Sequence, residues 1–172
     1  YSNNSYLAAN IALYEGEIVT EFYETNSISN TFYISNYDVD TTSISVSVRT
    51  SNTNTTNTEW TRANTLFNVG STSNVFFVQA AANGSYELVF GNDTFGRKLT
   101  DGNIVEATYR VASGAEPDGA NTFTSAGAIS GYSTVAATVV LRAAGGQEYQ
   151  SLDDIKFAAP RALTTQERAV TA

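Results

Sequence analysis

A regular alternation of apolar and polar residues restricts the secondary structure of this chain more than any other feature of its sequence. Between Ile44 and Val48 an apolar residue stands at every second position, with serine between. The same period of two recurs in residues 86–90 and 104–112. Since side chains alternate between the two faces of a β-strand, this period predicts strands with one buried face and one wetter face. Such strands are typical of antiparallel sheets.

Residues 83–114 are predicted to be the centre of the fold. The strands at 86–90 and 104–112 are separated by the triplets Gly91-Asn92-Asp93 and Asp101-Gly102-Asn103. These residue types tolerate positive φ or bond to their own backbone, as a tight reversal requires. We therefore expect a β-hairpin or meander punctuated by glycine turns.

Other segments rich in β-branched and aromatic residues predict further strands. We expect an opening hairpin of residues 11–14 and 18–23 around a turn at 15–17. We also expect a strand at 75–78 that is buried on both faces. The remaining expectations are strands at 31–35 and 135–141, a turn at 38–42, exposed loops at 51–58 and 115–127, and Trp60 folded over a sheet edge.

A helix is predicted after the last strand. Ser151 can cap its free N–H groups, and Asp153 and Asp154 suit the positive end of its dipole. Pro160 is expected to end it. The fold class expected is thus a mainly β, antiparallel sandwich-like domain of about eight or nine strands with a short C-terminal helix and linker.

The predicted domain organisation is an antiparallel β domain over residues 1–145, followed by a helix and linker over residues 146–172. The chain begins at Tyr1 and ends in a helix-like run without a stop signal. We therefore expect it to be a fragment of a longer protein, with the linker leading to a C-terminal domain that it lacks.

The composition narrows the possible functions. A net charge of −8 repels nucleic acid and anionic membrane surfaces, so neither is expected as a partner. The chain has no His and no Cys, which excludes a Ser-His-Asp triad, a cysteine nucleophile and a thiolate zinc site. The spacing of Gly91, Gly96 and Gly102 is typical of turns and not of a phosphate loop. We predict no catalytic residue, no cofactor and no metal site.

Paired carboxylates are the remaining route to catalysis, since a glycosidase needs two carboxyl groups about 5–10 Å apart. The candidate pairs are Glu15 with Glu17, Asp38 with Asp40, and Asp153 with Asp154. They lie at predicted turns or at the predicted helix start, where a solvated or capping role explains them. Asp38 with Asp40 and Asp93 with Asp101 could also help to bind Ca²⁺, although neither has the spacing of a calcium loop.

Two phrases resemble the baseplate J-like family, whose members are baseplate wedge subunits of contractile-tailed phages. The first, FGNDTFGRKLTDGNIVEATYRVASG, occupies residues 90–114 and the second, SLDDIKFAAPRALTTQERAVTA, residues 151–172. From residue 75 onward the order of features also agrees with the family, whereas before it only the general β character agrees. In the family the second phrase continues into an acidic-aromatic pair and a further domain, which this chain lacks.

Single residues carry these motifs. Phe90, Gly91, Phe95 and Gly96 make an F-G-x-x-x-F-G turn, and Gly102 opens a following G-N-I. In the second phrase, Pro160 and Arg161 belong to A-P-R, and Arg168 opens R-A-V-T.

The resemblance implies a structural role without catalysis. Such proteins pair with a second copy of themselves and with other wedge subunits, join wedges into a ring around the tail hub, and rearrange when the sheath contracts. It implies a place in the tail baseplate of the virion, after assembly in the host cytoplasm. Arg161 and Arg168 are the candidate interface residues, because bidentate arginine suits interface ion pairs. A solvated charge at a helix end is the alternative for both.

Two other functions remain open from the sequence. A β-sandwich carbohydrate-binding or adhesin module would also have a polar surface of low charge. A carboxylate glycosidase is the third possibility. On the wedge interpretation, we expect any functional surface to lie on loops such as 51–58 or 115–131.

Overall fold

The computed structural model describes residues 7–26, 29–133, 135–148, 153, 156 and 157. The chain separates into two compact units. The larger unit is Ala12–Ser113, and the smaller one joins Tyr1–Ile11 to Gly114–Ala172. The predicted division at residue 145 stays a prediction.

The larger unit is a single β-sheet that curls into a near-barrel, which confirms the predicted mainly β fold. Its strands follow the spatial order β1-β7-β3-β4-β5-β6-β2. The strands are β1 (Glu17–Glu24), β2 (Thr31–Tyr33), β3 (Val39–Arg49), β4 (Thr58–Arg62), β5 (Val75–Ala80), β6 (Tyr86–Phe90) and β7 (Ile104–Val111).

Neighbouring strands are antiparallel with one exception. β4 and β5 run parallel, with Thr61 opposite Val75 and Arg62 opposite Phe76. A parallel pair cannot be joined by a tight turn, so the intervening residues 63–74 form a long connection along the sheet. This parallel pair is the one exception among the described strands to the antiparallel pairing that was predicted.

Aromatic side chains centre the core on Phe90. The ring centroid of Phe90 lies 5.3 Å from that of Trp60, 5.8 Å from that of Phe32 and 6.4 Å from that of Phe76. The interpretation of Phe76, Phe90 and Tyr109 as packing residues is confirmed, since each is at most 2% exposed. The prediction for Trp60 was wrong, because Trp60 is buried in the middle of the sheet and does not cover an edge.

The predicted strand pairing was wrong in two places. Residues 11–14 are not a strand, and β1 pairs along its whole length with β7, from Glu17 opposite Val111 to Glu24 opposite Ile104. β6 and β7 are separated by three strands, so residues 83–114 are neither a hairpin nor a meander. Both errors have one cause, which is that a turn motif predicts a reversal but not the strand that will be paired.

Three local predictions also fail. Residues 38–42 are not a free turn, because β3 already begins at Val39 and bulges between Asp40 and Ser45. The strand at 75–78 is buried on one face only, with Phe76 buried and Phe77 half-buried. No strand occurs at 135–141, where Val140 and Leu141 are about four-fifths exposed.

Side chains join the two end strands of the sheet. The Tyr23 hydroxyl on β1 donates to the carbonyl of Tyr33 on β2 at 3.0 Å. The backbone N–H of Ser35, just after β2, donates to the Glu21 carboxylate at 3.3 Å. In a closed barrel β1 and β2 would be joined by backbone hydrogen bonds, whereas here these side-chain bonds join them.

Glu21 is the central acceptor of this seam. The Tyr23 hydroxyl shares its single proton between the Tyr33 carbonyl and the Glu21 carboxylate, and the Tyr109 hydroxyl donates to Glu21 at 2.7 Å. Burial disfavours its charged form, but these donors and Ser35 outweigh burial and hold the pKa of Glu21 below its ordinary value. Burial, together with the Glu21 carboxylate, raises the pKa of Tyr109 to about 12 despite the hydrogen bond from Asn36.

The described part of the smaller unit contains no strand. Residues 115–127 form a loop as predicted, tied down by backbone bonds from Gly119 to Ala143 and from Ala143 to Ala120, each 2.8 Å. Asp153, Lys156 and Phe157 are helical, while Ser151, Asp154 and Pro160, on which the predicted helix bounds depend, lie outside the described residues. In the described part of the chain, no helix has the length and apolarity to span a membrane.

Candidate functional site

The F-G-x-x-x-F-G phrase folds into a compact loop that leaves β6 and reverses at once. The Asn92 side-chain oxygen accepts the N–H groups of Thr94 and Phe95, both at 3.0 Å. The N–H of Asp93 donates to the carbonyl of Gly96 at 2.9 Å. The loop thus supplies its own backbone partners, as turn-forming Asn and Asp commonly do.

Both glycines of this loop are required by space or by conformation. A Cβ on Gly91 would lie 2.2 Å from the carbonyl carbon and oxygen of Gly96. Gly96 itself has φ of +82°, and a Cβ there would lie 2.8 Å from a methyl group of Val75. The loop also binds its neighbour, because the N–H groups of Gly96 and Arg97 donate to the carbonyls of Gly70 and Ser73.

Beside this loop lies a groove on the outer surface of β5 and β6, which we call the β5–β6 groove. Its volume is about 390 Å³, within the range of small-molecule sites. Phe77 and Val89, which face each other across the β5–β6 ladder, are half-buried in its wall. Leu66 and Phe95 are about half exposed. The complete lining is Asn30, Asn64, Thr65, Leu66, Phe77, Gln79, Val89, Phe90, Asn92 and Phe95.

Two of the lining amides are held by the fold. The side-chain N–H of Asn30 donates to the carbonyl of Phe90 at 2.9 Å, and Asn92 is oriented by the two N–H groups that it accepts. The exposed side chains of Asn64, Thr65 and Gln79 make no hydrogen bond to any residue that the structure describes. The groove therefore combines apolar side chains with polar groups that can still bond to a ligand.

The β5–β6 groove carries no charge of its own. None of its lining residues is ionisable in the part of the chain that the structure describes. Over the same residues, no group of three or more Asp or Glu side chains is arranged to hold a metal ion. The groove can offer hydrogen bonds and apolar contact, but neither a general acid nor a general base.

A second exposed surface lies on the outer face of β1. Ile18 is 64% exposed and Phe22 is 58% exposed. They lie on the face of β1 opposite to Val19 and Glu21, which are half-buried. The guanidinium of Arg49 lies 5.7 Å from the Phe22 ring centroid. An arginine close to an aromatic ring is a cation–π arrangement, and arginine is one of the residue types enriched among those that dominate binding at protein interfaces.

Three of the carboxylates considered for catalysis or for Ca²⁺ binding have structural partners. Glu15 accepts the N–H and the hydroxyl of Ser113, each at 3.0 Å. Asp93 accepts the N–H of Lys98 at 2.8 Å. Asp40 forms a half-buried ion pair with Arg110 and bonds to Thr42 inside the bulge of β3. These contacts explain the three carboxylates without a ligand.

The sequence-predicted motif residues fall into two groups. Phe90, Gly91, Phe95 and Gly96 lie together in and around the glycine loop, whereas Gly102, with φ of +78° and open space around it, forms a separate turn before β7. Pro160, Arg161 and Arg168 lie outside the described residues, so the predicted ion pairs of the two arginines stay predictions.

The β5–β6 groove was missed in the sequence. Phe77 belongs to the apolar run VFFV, which was interpreted as wholly buried, and Asn64 and Gln79 stand in segments with no motif. The only available signal was the alternation within β5, which places Phe77 and Gln79 on the face opposite Phe76.

Comparison with protein-family models and with curated proteins found no match to this chain. The resemblance to the baseplate J-like family therefore depends on the two sequence phrases.

Proposed function

We propose that this chain is a β-rich domain of a phage baseplate wedge subunit and that it acts through protein–protein contacts. It would pair with a second copy of itself and with other wedge subunits in the tail baseplate of the virion. In this role it has no catalytic activity and binds neither nucleic acid nor membrane.

The observation that carries the proposal is the pair of phrases at residues 90–114 and 151–172, which occur in the family's order. The geometry of the first phrase adds weight to it. Because Gly91 and Gly96 contact each other, the fold requires glycine at both positions of the F-G-x-x-x-F-G motif. The spacing of the two glycines therefore has a steric reason.

The outer face of β1 is the surface that we assign to these contacts. Ile18 and Phe22 are exposed apolar side chains, and the guanidinium of Arg49 lies close to the Phe22 ring. Burying these side chains against a partner would remove apolar area from water. Edge strands that expose such side chains are prone to pair with another chain.

Immunogold electron microscopy of intact phage tests the location. An antibody raised against this chain should label the baseplate end of the virions of the phage that encodes it, both before and after sheath contraction. Purified virions without label at the baseplate, alongside clear labelling by a control antibody against the sheath, would exclude the proposal.

Light scattering tests the contact surface. If the chain or the longer protein that contains it self-associates, Phe22→Ser should weaken that association, while the matched change Phe67→Ser should not, since Phe67 is 81% exposed on another part of the unit. If the unmutated protein, Phe22→Ser and Phe67→Ser associate equally, the outer face of β1 is not the interface.

A further inference from the structure

We propose that the β5–β6 groove binds a neutral saccharide. This inference goes beyond the wedge proposal and does not depend on it, because it uses only residues of the unit Ala12–Ser113.

The chemistry of the groove matches a sugar ring. A pyranose presents an apolar C–H face and a rim of hydroxyl groups that both donate and accept hydrogen bonds. Phe77 and Phe95 offer apolar side chains to the C–H face of the sugar. The side-chain amides of Asn64 and Gln79 each offer one acceptor and two donor positions and have no protein partner in the described structure. These positions suit the hydroxyl groups at the rim of the sugar.

The charge around the groove favours a neutral ligand over an acidic one. The lining has no cation that could pair with a carboxylate or sulfate group. Glu87, the register partner of Gln79, lies on the same face of the sheet, and the chain carries a net charge of −8. An anionic sugar would therefore be repelled without any compensating ion pair.

The position of the groove disfavours an added peptide strand. A peptide that extends a sheet needs an edge with unpaired backbone groups. Phe77 and Val89 lie opposite each other in the β5–β6 ladder, and β6 is in turn covered by β2, so the floor is the face of a paired sheet. Only side chains are left to recognise a ligand there.

The loop architecture supports a preformed site. Asn92 is held by two backbone N–H groups, Asn30 by the carbonyl of Phe90, and the glycine loop that carries Phe95 is bonded to residues 70 and 73. A site whose walls are already ordered loses less entropy when a ligand binds.

The test is a glycan array that contains neutral, sialylated and sulfated glycans, followed by calorimetric or saturation-transfer NMR titration of the neutral glycans retained. We expect binding of neutral glycans, with Phe95→Ala reducing affinity by about tenfold and Asn64→Ala by about three- to tenfold. The matched controls Phe67→Ala and Asn52→Ala change exposed residues of the same types outside the groove and should leave affinity unchanged.

Circular dichroism of each variant shows that the fold is retained, and Gln79→Ala, at an exposed position, provides a second groove variant if Phe95→Ala unfolds. Absence of neutral-glycan binding up to millimolar concentration would overturn the proposal, as would retention of acidic glycans only. Equal affinity of the groove and control variants would also overturn it, because the sugar would then bind elsewhere.

Discussion

Replacing Gly91 by alanine should unfold the glycine loop at a large cost in stability. The added Cβ would lie 2.2 Å from the carbonyl carbon and oxygen of Gly96 and 2.6 Å from its Cα. Since these are backbone atoms, no side-chain rotation can relieve the contact, and the loop itself must move. Movement would weaken the bonds from Asp93 to Gly96 and from Gly96 to Gly70, at 2.9 and 3.1 Å.

The expected magnitude follows from these two effects. Overpacking typically costs about 1–3 kcal/mol, and each weakened hydrogen bond about 1 kcal/mol. The sum of about 3–5 kcal/mol is a large part of the roughly 5–15 kcal/mol that stabilises an ordinary domain. It corresponds to a fall in melting temperature of about 10 °C or more.

Urea unfolding followed by fluorescence measures this loss, because Trp60 is the only tryptophan and is buried in the unit concerned. The matched control is Gly70→Ala, since a Cβ there meets nothing closer than the Ser73 hydroxyl at 3.7 Å. If Gly91→Ala is no less stable than Gly70→Ala, the two glycines do not contact each other and the steric argument for the motif is wrong.

Three further predictions concern the core, the seam and the bulge. Phe90→Ala should lower the free energy of unfolding by about 3–5 kcal/mol in the same urea assay, because it removes the ring at the centre of the core. Glu21→Gln should be less stable than wild type near neutral pH, because the folded-state pKa of Glu21 lies below its ordinary value of 4.5 and the charged carboxylate therefore stabilises the fold. The difference should shrink as the pH falls from 4.5 through the lower folded-state pKa, and a difference that is independent of pH in urea titrations would contradict this. Arg110→Ala should destabilise the unit more than the double change with Asp40→Asn, because the single change leaves a half-buried carboxylate without its partner; additive effects in the double-mutant cycle would argue against coupling.

Local patterns in the sequence were sufficient to locate most strands. The alternation in β3, β6 and β7 is visible in the order of residues, and Leu88, Val105 and Ala107 are buried as the pattern predicts. The reversals at Gly91 and Gly102 could also be predicted, because the conformations of Gly, Asn and Asp depend on their own backbone. The failures at residues 11–14 and 135–141 concern short apolar segments, for which periodicity carries little information.

Local sequence patterns could predict neither which strands pair nor the β5–β6 groove. The order of the strands depends on contacts between residues far apart in the chain, such as Glu17 with Val111, and no short motif encodes them. The groove likewise assembles Asn30, Asn64, Phe77 and Phe95 from four separate segments. Each of these residues is unremarkable in its own surroundings.

The amino-acid order, read alone, establishes a β chain of alternating faces, glycine reversals, a chemistry without His or Cys, and two phrases that resemble a baseplate family. It does so because backbone conformation and burial pattern are local properties. The curled sheet, the parallel β4–β5 pair, the seam at Glu21 and the β5–β6 groove are properties of the folded unit, since each results from distant segments that meet only when the apolar faces of seven strands close around Phe90.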